Sequence, residues 1–454
     1  MSAYRSRAIA HSSLPASHPE FPAPAKGVPF YSPEQDPPAG TVIKNNEDEV
    51  IPKLFTPLTI RGVTLANRIW VSPMCQYSAV DGFHTPWHIT HYGGMAQRGP
   101  GLMMIEATAV QSRGRITPQD SGIWLDAHTE TLRQHVDFAH SQNTLIAIQI
   151  AHAGRKASTV APWIKAGPTA TEAARGWPSD VVGPSSEPFD AGYPTPRALT
   201  LDEVAELKHD FALAVNRAID TGFDVIELHF AHGYLVSSFL TPAVNKRTDQ
   251  YGGSFENRAR LALELVEQTR AAMPDTMPLF VRISATDWLD TNPDYTGESW
   301  TVDDAAKLAL LFAERGVDVL DVSSGGNHPQ QKVKGGPGYQ APLAKHIKKV
   351  VGDKMLVSTV GSIKTGTLAE ELIEGGKSDD DIPLDLVAAG RMFQKNPGLV
   401  WYWADDLDTH INVAHQIGWG FGGRAQKKLI PGRRTFHDVC SSCDVDLMDQ
   451  IWRA

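Results

Sequence analysis

Residues 200–231 read TLDEVAELKHDFALAVNRAIDTGFDVIELHFA, and this stretch decides the fold. Thr200 followed by Glu203 is a capping box, in which two side chains satisfy backbone N–H groups that a helix start leaves unpaired. Val204, Leu207, Phe211, Ala214 and Ala218 then recur on one helical face, and Gly222 supplies the stop. Directly after it, 224–231 (DVIELHFA) is a short, nearly continuous apolar run. Such a strand suits burial on both faces, as in a parallel sheet.

The same unit recurs on either side. Upstream runs are 67–73 (NRIWVSP), 102–110 (LMMIEATAV) and 145–152 (LIAIQIAH). Downstream are 278–285 (PLFVRISA), 317–324 (VDVLDVSS), 355–362 (MLVSTVGS) and 384–391 (LDLVAAGR). Thr301 repeats the helix start before Ala305, Leu308 and Phe312, with Gly316 as the stop. Eight strands alternating with helices predict an α/β chain closed into a (β/α)8 TIM barrel over residues 51–425. A doubly wound open sheet is the competing arrangement. The Pro- and Gly-rich segment 155–199 is too long for a plain connection and predicts a lid or wall of a site. Residues 1–50 hold eight prolines and predict an irregular N-terminal arm, which buries too little to offset its ordering entropy. Residues 426–454 form a C-terminal tail.

Composition narrows the function. The chain has 454 residues, 42% hydrophobic and 21% charged, as in a folded globular protein. No run of about 18 apolar residues occurs, so no membrane span is expected. The formal charge of −10 argues against a broad nucleic-acid surface but not against one local anion pocket. Three cysteines, Cys75, Cys440 and Cys443, are no disulfide framework and indicate a reducing compartment, the cytoplasm. Arg5 and Arg7, with no acidic residue before Glu20, resemble a transit peptide only faintly.

In barrels of this kind chemistry sits where strands end, so polar residues in apolar runs are informative. Gln149, Arg282, His229, His232 and Tyr234 stand out, because each costs several kcal/mol to bury without a partner. Gly361 after the seventh run and Gly390-Arg391 closing the eighth make a phosphate corner of bare N–H groups plus a cation. Other motifs mislead. Residues 418–423 (GWGFGG) match a dinucleotide fingerprint but follow the last strand and open no βαβ unit. Gly376-Lys377-Ser378 lacks the glycine of a phosphate loop, since Glu371 stands there. His84, His88 and His91 come without the acidic ligand of a metal motif, and Cys440, Cys443 and His437 lack a fourth zinc ligand, so no metal is expected.

Several stretches resemble the old yellow enzymes, flavin-dependent ene-reductases: SPMCQYS (72–78), TPWHITHYG (85–93), GRITPQDSGIW (114–124), QIAHAGRKA (149–157) and, most specifically, 223–260. The likeness runs from about residue 52 to 400. Cys75 and Tyr77, and His232 where many members have asparagine, are similar to the thermophilic-like branch; 27–41 resembles its fungal members. The resemblance implies FMN, held non-covalently, with NADPH or NADH as reductant. It puts Ser72, Pro73, Met74, Cys75 and Ala107 along the flavin, Gln149 and Arg282 at its pyrimidine end, and Gly361, Gly390 and Arg391 on its phosphate. It makes His229 and His232 the binders of a substrate oxygen, Tyr234 the proton donor, and Tyr77 and Lys156 the pocket border. The implied substrate is a small activated alkene. An FMN-barrel isomerase or dehydrogenase acting on a biosynthetic intermediate is the alternative. A homo-oligomer, dimer or tetramer, is expected. The branch's usual C-terminal arginine, which enters a neighbour's site, is missing at 416–419 (QIGW), with Arg424 the nearest substitute.

Overall fold

A computed structural model describes residues 22–422, except 166, 379 and 380. The tail 426–454, Arg424 and the Cys440–Cys443 pair lie outside the described residues. The chain runs β1 (Leu58–Ile60), β2 (Val63–Leu65), β3 (Ile69–Val71), α1 (Pro86–Ala96), β4 (Leu102–Ala109), α2 (His128–Ser141), β5 (Ile146–Ala151), β6 (Val182–Gly183) and β7 (Arg197–Ala198). It continues α3 (Leu201–Thr221), β8 (Val225–Phe230), α4 (Leu235–Leu240), α5 (Phe255–Ala272), β9 (Leu279–Ser284), α6 (Val302–Ala313), β10 (Val319–Ser323) and α7 (Ala341–Val351). Then come β11 (Leu356–Thr359), α8 (Gly366–Glu374), β12 (Leu386–Ala389), α9 (Arg391–Lys395), α10 (Leu399–Asp406) and α11 (His415–Gly422).

All eight expected runs carry a strand, and β3-β4-β5-β8-β9-β10-β11-β12 close into one barrel, every ladder parallel. The open sheet is thereby excluded. Alternate residues point to opposite sides of each strand, and both sides are buried. Trp70, Leu102, Met104, Ala147, Val225, Phe280, Val319 and Leu386 fill the interior, whereas Ile69, Val71, Ile105 and Ile148 pack under the helices. The hairpin β1–β2, not foreseen because its strands have three residues each, adds Ile60 and Leu65 to the interior cluster. Thr200 caps α3 as expected, accepting from the Glu203 N–H, and Gly222 ends it at φ 98°. Helix α6 ends three residues before Gly316, at Ala313.

One expectation changes. The described part of the arm is irregular but not loose: Ser32, Gln35 and Ala39 are buried. Gln35 donates to Gln416 (2.9 Å) and accepts from the His415 N–H (3.0 Å), while Asn67 donates to the Gly40 carbonyl (3.2 Å). Hydrogen bonds fasten this arm to the barrel, together with Ala39 and with Val42 packed on the core. Residues 418–422 of the dinucleotide-like motif lie on α11, after the last strand.

Candidate active site

Parallel pairing sets the site's lower layer. Register places Gln149 of β5 opposite Glu227 of β8, and Arg282 of β9 opposite Asp321 of β10. Gln149 Nε2 donates to Glu227 Oε1 at 2.7 Å, Arg282 Nε to Asp321 Oδ2, and Arg282 Nη2 to Ser72 Oγ at 3.0 Å. All five side chains are buried. Glu227 and Asp321 were not singled out in the sequence, although an acid inside an apolar strand demands a partner just as an arginine does. Burial pushes Glu227 up to about 8 against the pull of Arg282, and raises Asp321 too. Burial opposes the Arg282 charge, but Asp321 and Glu227 outweigh it and raise the guanidinium.

Above it, where β8 ends, stand two imidazoles and a phenol. The His229 ring centroid lies 5.2 Å from that of His232 and 5.1 Å from that of Tyr234, each pair edge to face. The Ala231 N–H donates to His229 Nδ1 (3.4 Å), which puts the ring proton on Nε2. His232 takes a left-handed φ of 63° and is pinned on three sides. Its N–H donates to Ser284 Oγ (2.8 Å), its carbonyl accepts from Lys156 Nζ (2.8 Å), and its Nε2 meets Ser323 Oγ at 2.6 Å. Gly233 follows at φ 73°, where a Cβ would sit 2.0 Å from the Gly326 carbonyl oxygen, so only glycine fits. Burial, then His232, Arg282 and Lys156, hold His229 well below the usual imidazole range; burial, then Arg282 and Lys156, take His232 to about 3. Burial raises the Tyr234 hydroxyl well above its ordinary value. At neutral pH the cluster is therefore two neutral rings and an undissociated phenol. Both folded-state imidazole values lie below the unfolded one, so neither ring gains a proton between pH 8 and pH 5. Nitrogen NMR of 15N-histidine enzyme will show both rings flat across that window; a midpoint near 6.5 for either refutes it.

One wall is the segment after β3. Ser72 N–H donates to the Ala389 carbonyl (3.0 Å), and Gln76 N–H to Glu106 Oε1 (3.1 Å), whose other oxygen, Oε2, accepts from the Tyr92 hydroxyl (2.7 Å). Pro73, Met74 and Cys75 are half-buried between these anchors. Ala107 lies where the β4–β5 register slips, between Ile105 and Thr108. Burial, then Asp120 and Glu106, push the Cys75 thiol up. It therefore stays protonated at neutral pH. Mass mapping after iodoacetamide at pH 7.5 will show Cys75 alkylated at least about tenfold slower than a peptide thiol, since the thiolate is the reactive form; equal rates overturn this.

The segment 155–199 packs over Tyr77 and reaches the His232 carbonyl. Trp163 meets Tyr77 edge to face at 5.4 Å, and Phe189 lies 3.9 Å from Lys156 Nζ. Lys156, expected to border the pocket, reaches the turn after β8. Its ammonium is committed to the His232 and Gly326 carbonyls, and burial, then Arg155, lower it to about 7. At the far rim Gly361 takes φ 130°, where a Cβ would meet the Tyr339 ring at 2.9 Å. Gly390 lies against Met74 and directly precedes α9, whose first N–H groups have no partner within the helix; Arg391 is exposed.

These parts fit a flavin mononucleotide. Arg282 spends two of its five N–H groups on protein, and Gln149 keeps its amide oxygen. Donors beside an acceptor complement the dione edge of a flavin, and the Gly361 and Gly390 corner suits a phosphate. Fold and site thus define a flavin-dependent barrel oxidoreductase. The model of the NADH:flavin oxidoreductase / NADH oxidase family matches residues 53–409, and the chain belongs to that family, the old yellow enzymes, with FMN as cofactor and NAD(P)H as reductant. It is similar to an NADH:flavin oxidoreductase of Gibberella zeae, 52% identical over 88% of this chain and 96% of that one. NADPH dehydrogenase of Bacillus subtilis is 39% identical over 81% of this chain and 99% of its own. Among solved structures, morphinone reductase superposes with a TM-score of 0.64 at 27% identity, covering 80% of this chain and 92% of that one. Among the described residues no helix is long and apolar enough to cross a membrane.

Proposed function

We propose that the enzyme is an ene-reductase, acting on α,β-unsaturated carbonyl or nitro compounds. The observation that carries this is the neutral His229–His232 pair with an undissociated Tyr234 at 5.1 Å. Bound FMN would supply the hydride chemistry, linking NAD(P)H oxidation to reduction at the alkene β-carbon. His229 and His232 hold the substrate oxygen and polarise the alkene; a donor of this kind contributes about 10²–10³ in rate. Tyr234 gives its proton to the α-carbon. Ser72, Pro73, Met74, Cys75, Ala107, Gln149 and Arg282 hold the isoalloxazine, and Gly361, Gly390 and Arg391 the phosphate. Tyr77 borders the substrate, and Lys156 shapes the pocket through the carbonyls it ties. The intact Tyr234 favours this reading over an isomerase or dehydrogenase. The test is anaerobic reduction with NADPH or NADH, then mixing with a panel of enones and nitroalkenes. Reoxidation by oxygen but by no alkene would refute it.

We also infer a homo-oligomer, dimer or tetramer, from the family resemblance. Sedimentation velocity will show more than one copy per particle; a monomer at micromolar concentration refutes it.

A further inference from the structure

His232 reaches its place through a chain of polar side chains, and that chain decides which nitrogen carries its proton. Gln340 Nε2 donates to the Val360 carbonyl (2.7 Å), which turns its amide oxygen toward Ser323 and Ser324. Ser324 Oγ donates to that oxygen at 2.6 Å, whereas Ser323 Oγ is 3.3 Å away. Ser323 has one hydroxyl proton, and its shorter contact, 2.6 Å, is to His232 Nε2. The Gln340 oxygen has a second lone pair on which Ser323 could also donate, but at 3.3 Å against 2.6 Å the shorter contact takes the proton, which goes to His232 Nε2. An imidazole that accepts at Nε2 while neutral must carry its proton at Nδ1. His232 Nδ1 has no hydrogen bond to any described residue, and neither has His229 Nε2.

We propose that Ser323, oriented by the Ser324–Gln340 pair, is a positioning residue that holds His232 as the Nδ1–H tautomer, so that both imidazoles offer N–H groups to one substrate oxygen. The opposite tautomer would present a lone pair and repel that oxygen. The inference rests on the ene-reductase reading only for what the second donor is for; the tautomer itself is a property of the resting enzyme. Nor does it need a charged ring, since a neutral His232 with its proton misplaced is already a failed donor.

The experiment is nitrogen NMR of 15N-histidine holoenzyme at pH 7.5, with Ser323→Ala, Ser323→Thr and His232→Asn alongside, the last to assign the signals. The parent will show His232 protonated at Nδ1. Ser323→Ala will show both tautomers and raise KM for an enone about tenfold, the scale of one lost donor, and Ser323→Thr, which keeps the hydroxyl, will restore both. An Nε2–H signal in the parent overturns the proposal whether or not any variant folds. An unchanged tautomer in Ser323→Ala, or Ser323→Thr as defective as Ser323→Ala, overturns it too. A parent with the Nδ1–H tautomer but no turnover of any enone upholds the assignment and refutes the ene-reductase reading instead.

Discussion

Tyr234→Phe will slow oxidation of the reduced enzyme by enones about 10²–10⁴-fold, the usual contribution of a positioned general acid, and leave its reduction by NAD(P)H nearly untouched. Phenylalanine keeps the ring that meets His229 edge to face at 5.1 Å and loses only the hydroxyl. In the proposed reaction that hydroxyl acts when the α-carbon takes its proton, not when the nicotinamide gives up hydride. Burial holds it undissociated, so it donates usefully only to a strongly basic developing enolate. Nitroalkenes yield a far less basic nitronate, so their hydride step will survive in Tyr234→Phe and the nitronate will accumulate. Stopped-flow traces with cyclohexenone and a nitroalkene check both parts. An unchanged enone step removes Tyr234 from the mechanism and leaves it a packing residue ahead of α4.

Arg282→Ala will lose most of its FMN and much of its stability. The arginine answers two needs at once: its Nη2 reaches Ser72, in the proposed flavin site, and its Nε compensates Asp321. Removing one partner of a buried ion pair costs about 3–5 kcal/mol, because the other charge remains uncompensated. A loss of that size lowers the melting temperature by about 5 °C or more. Adding Asp321→Asn removes the stranded carboxylate, so Arg282→Ala/Asp321→Asn will regain stability but not flavin. The ratio of flavin to protein absorbance and a thermal scan separate the two effects. Full FMN occupancy with the parent reduction potential in Arg282→Ala makes the residue structural only.

How much was legible in advance follows from what each feature depends on. Helix α3 could be placed from Thr200 to Gly222 because caps and 3.6-residue spacing are local properties of the chain. The eight runs were legible because strands buried on both faces must be apolar throughout. Gln149, Arg282, His229 and His232 stood out as polar residues in such runs, and the structure gathers them at one end of the barrel. Three things were not legible. The hairpin β1–β2 is too short to show a period. The arm was misjudged because its order comes from polar pairings such as Gln35 with Gln416, which composition does not reveal. Lys156 could be placed beside the pocket, but not on the His232 and Gly326 carbonyls.

The sequence by itself thus determined the barrel, the strand ends that bear the polar residues, and the kinship, because all three rest on local spacing or on motifs read along the chain. Only the tertiary structure decided the partners: Gln149 with Glu227, Arg282 with Asp321, and His232 with Ser323. Each pair joins residues 39 to 91 positions apart. Which strands lie side by side, and in what register, is settled by closing eight of them around one core. Proton positions on His229 and His232 follow from those neighbours, and so belong to the fold rather than to any stretch of the chain.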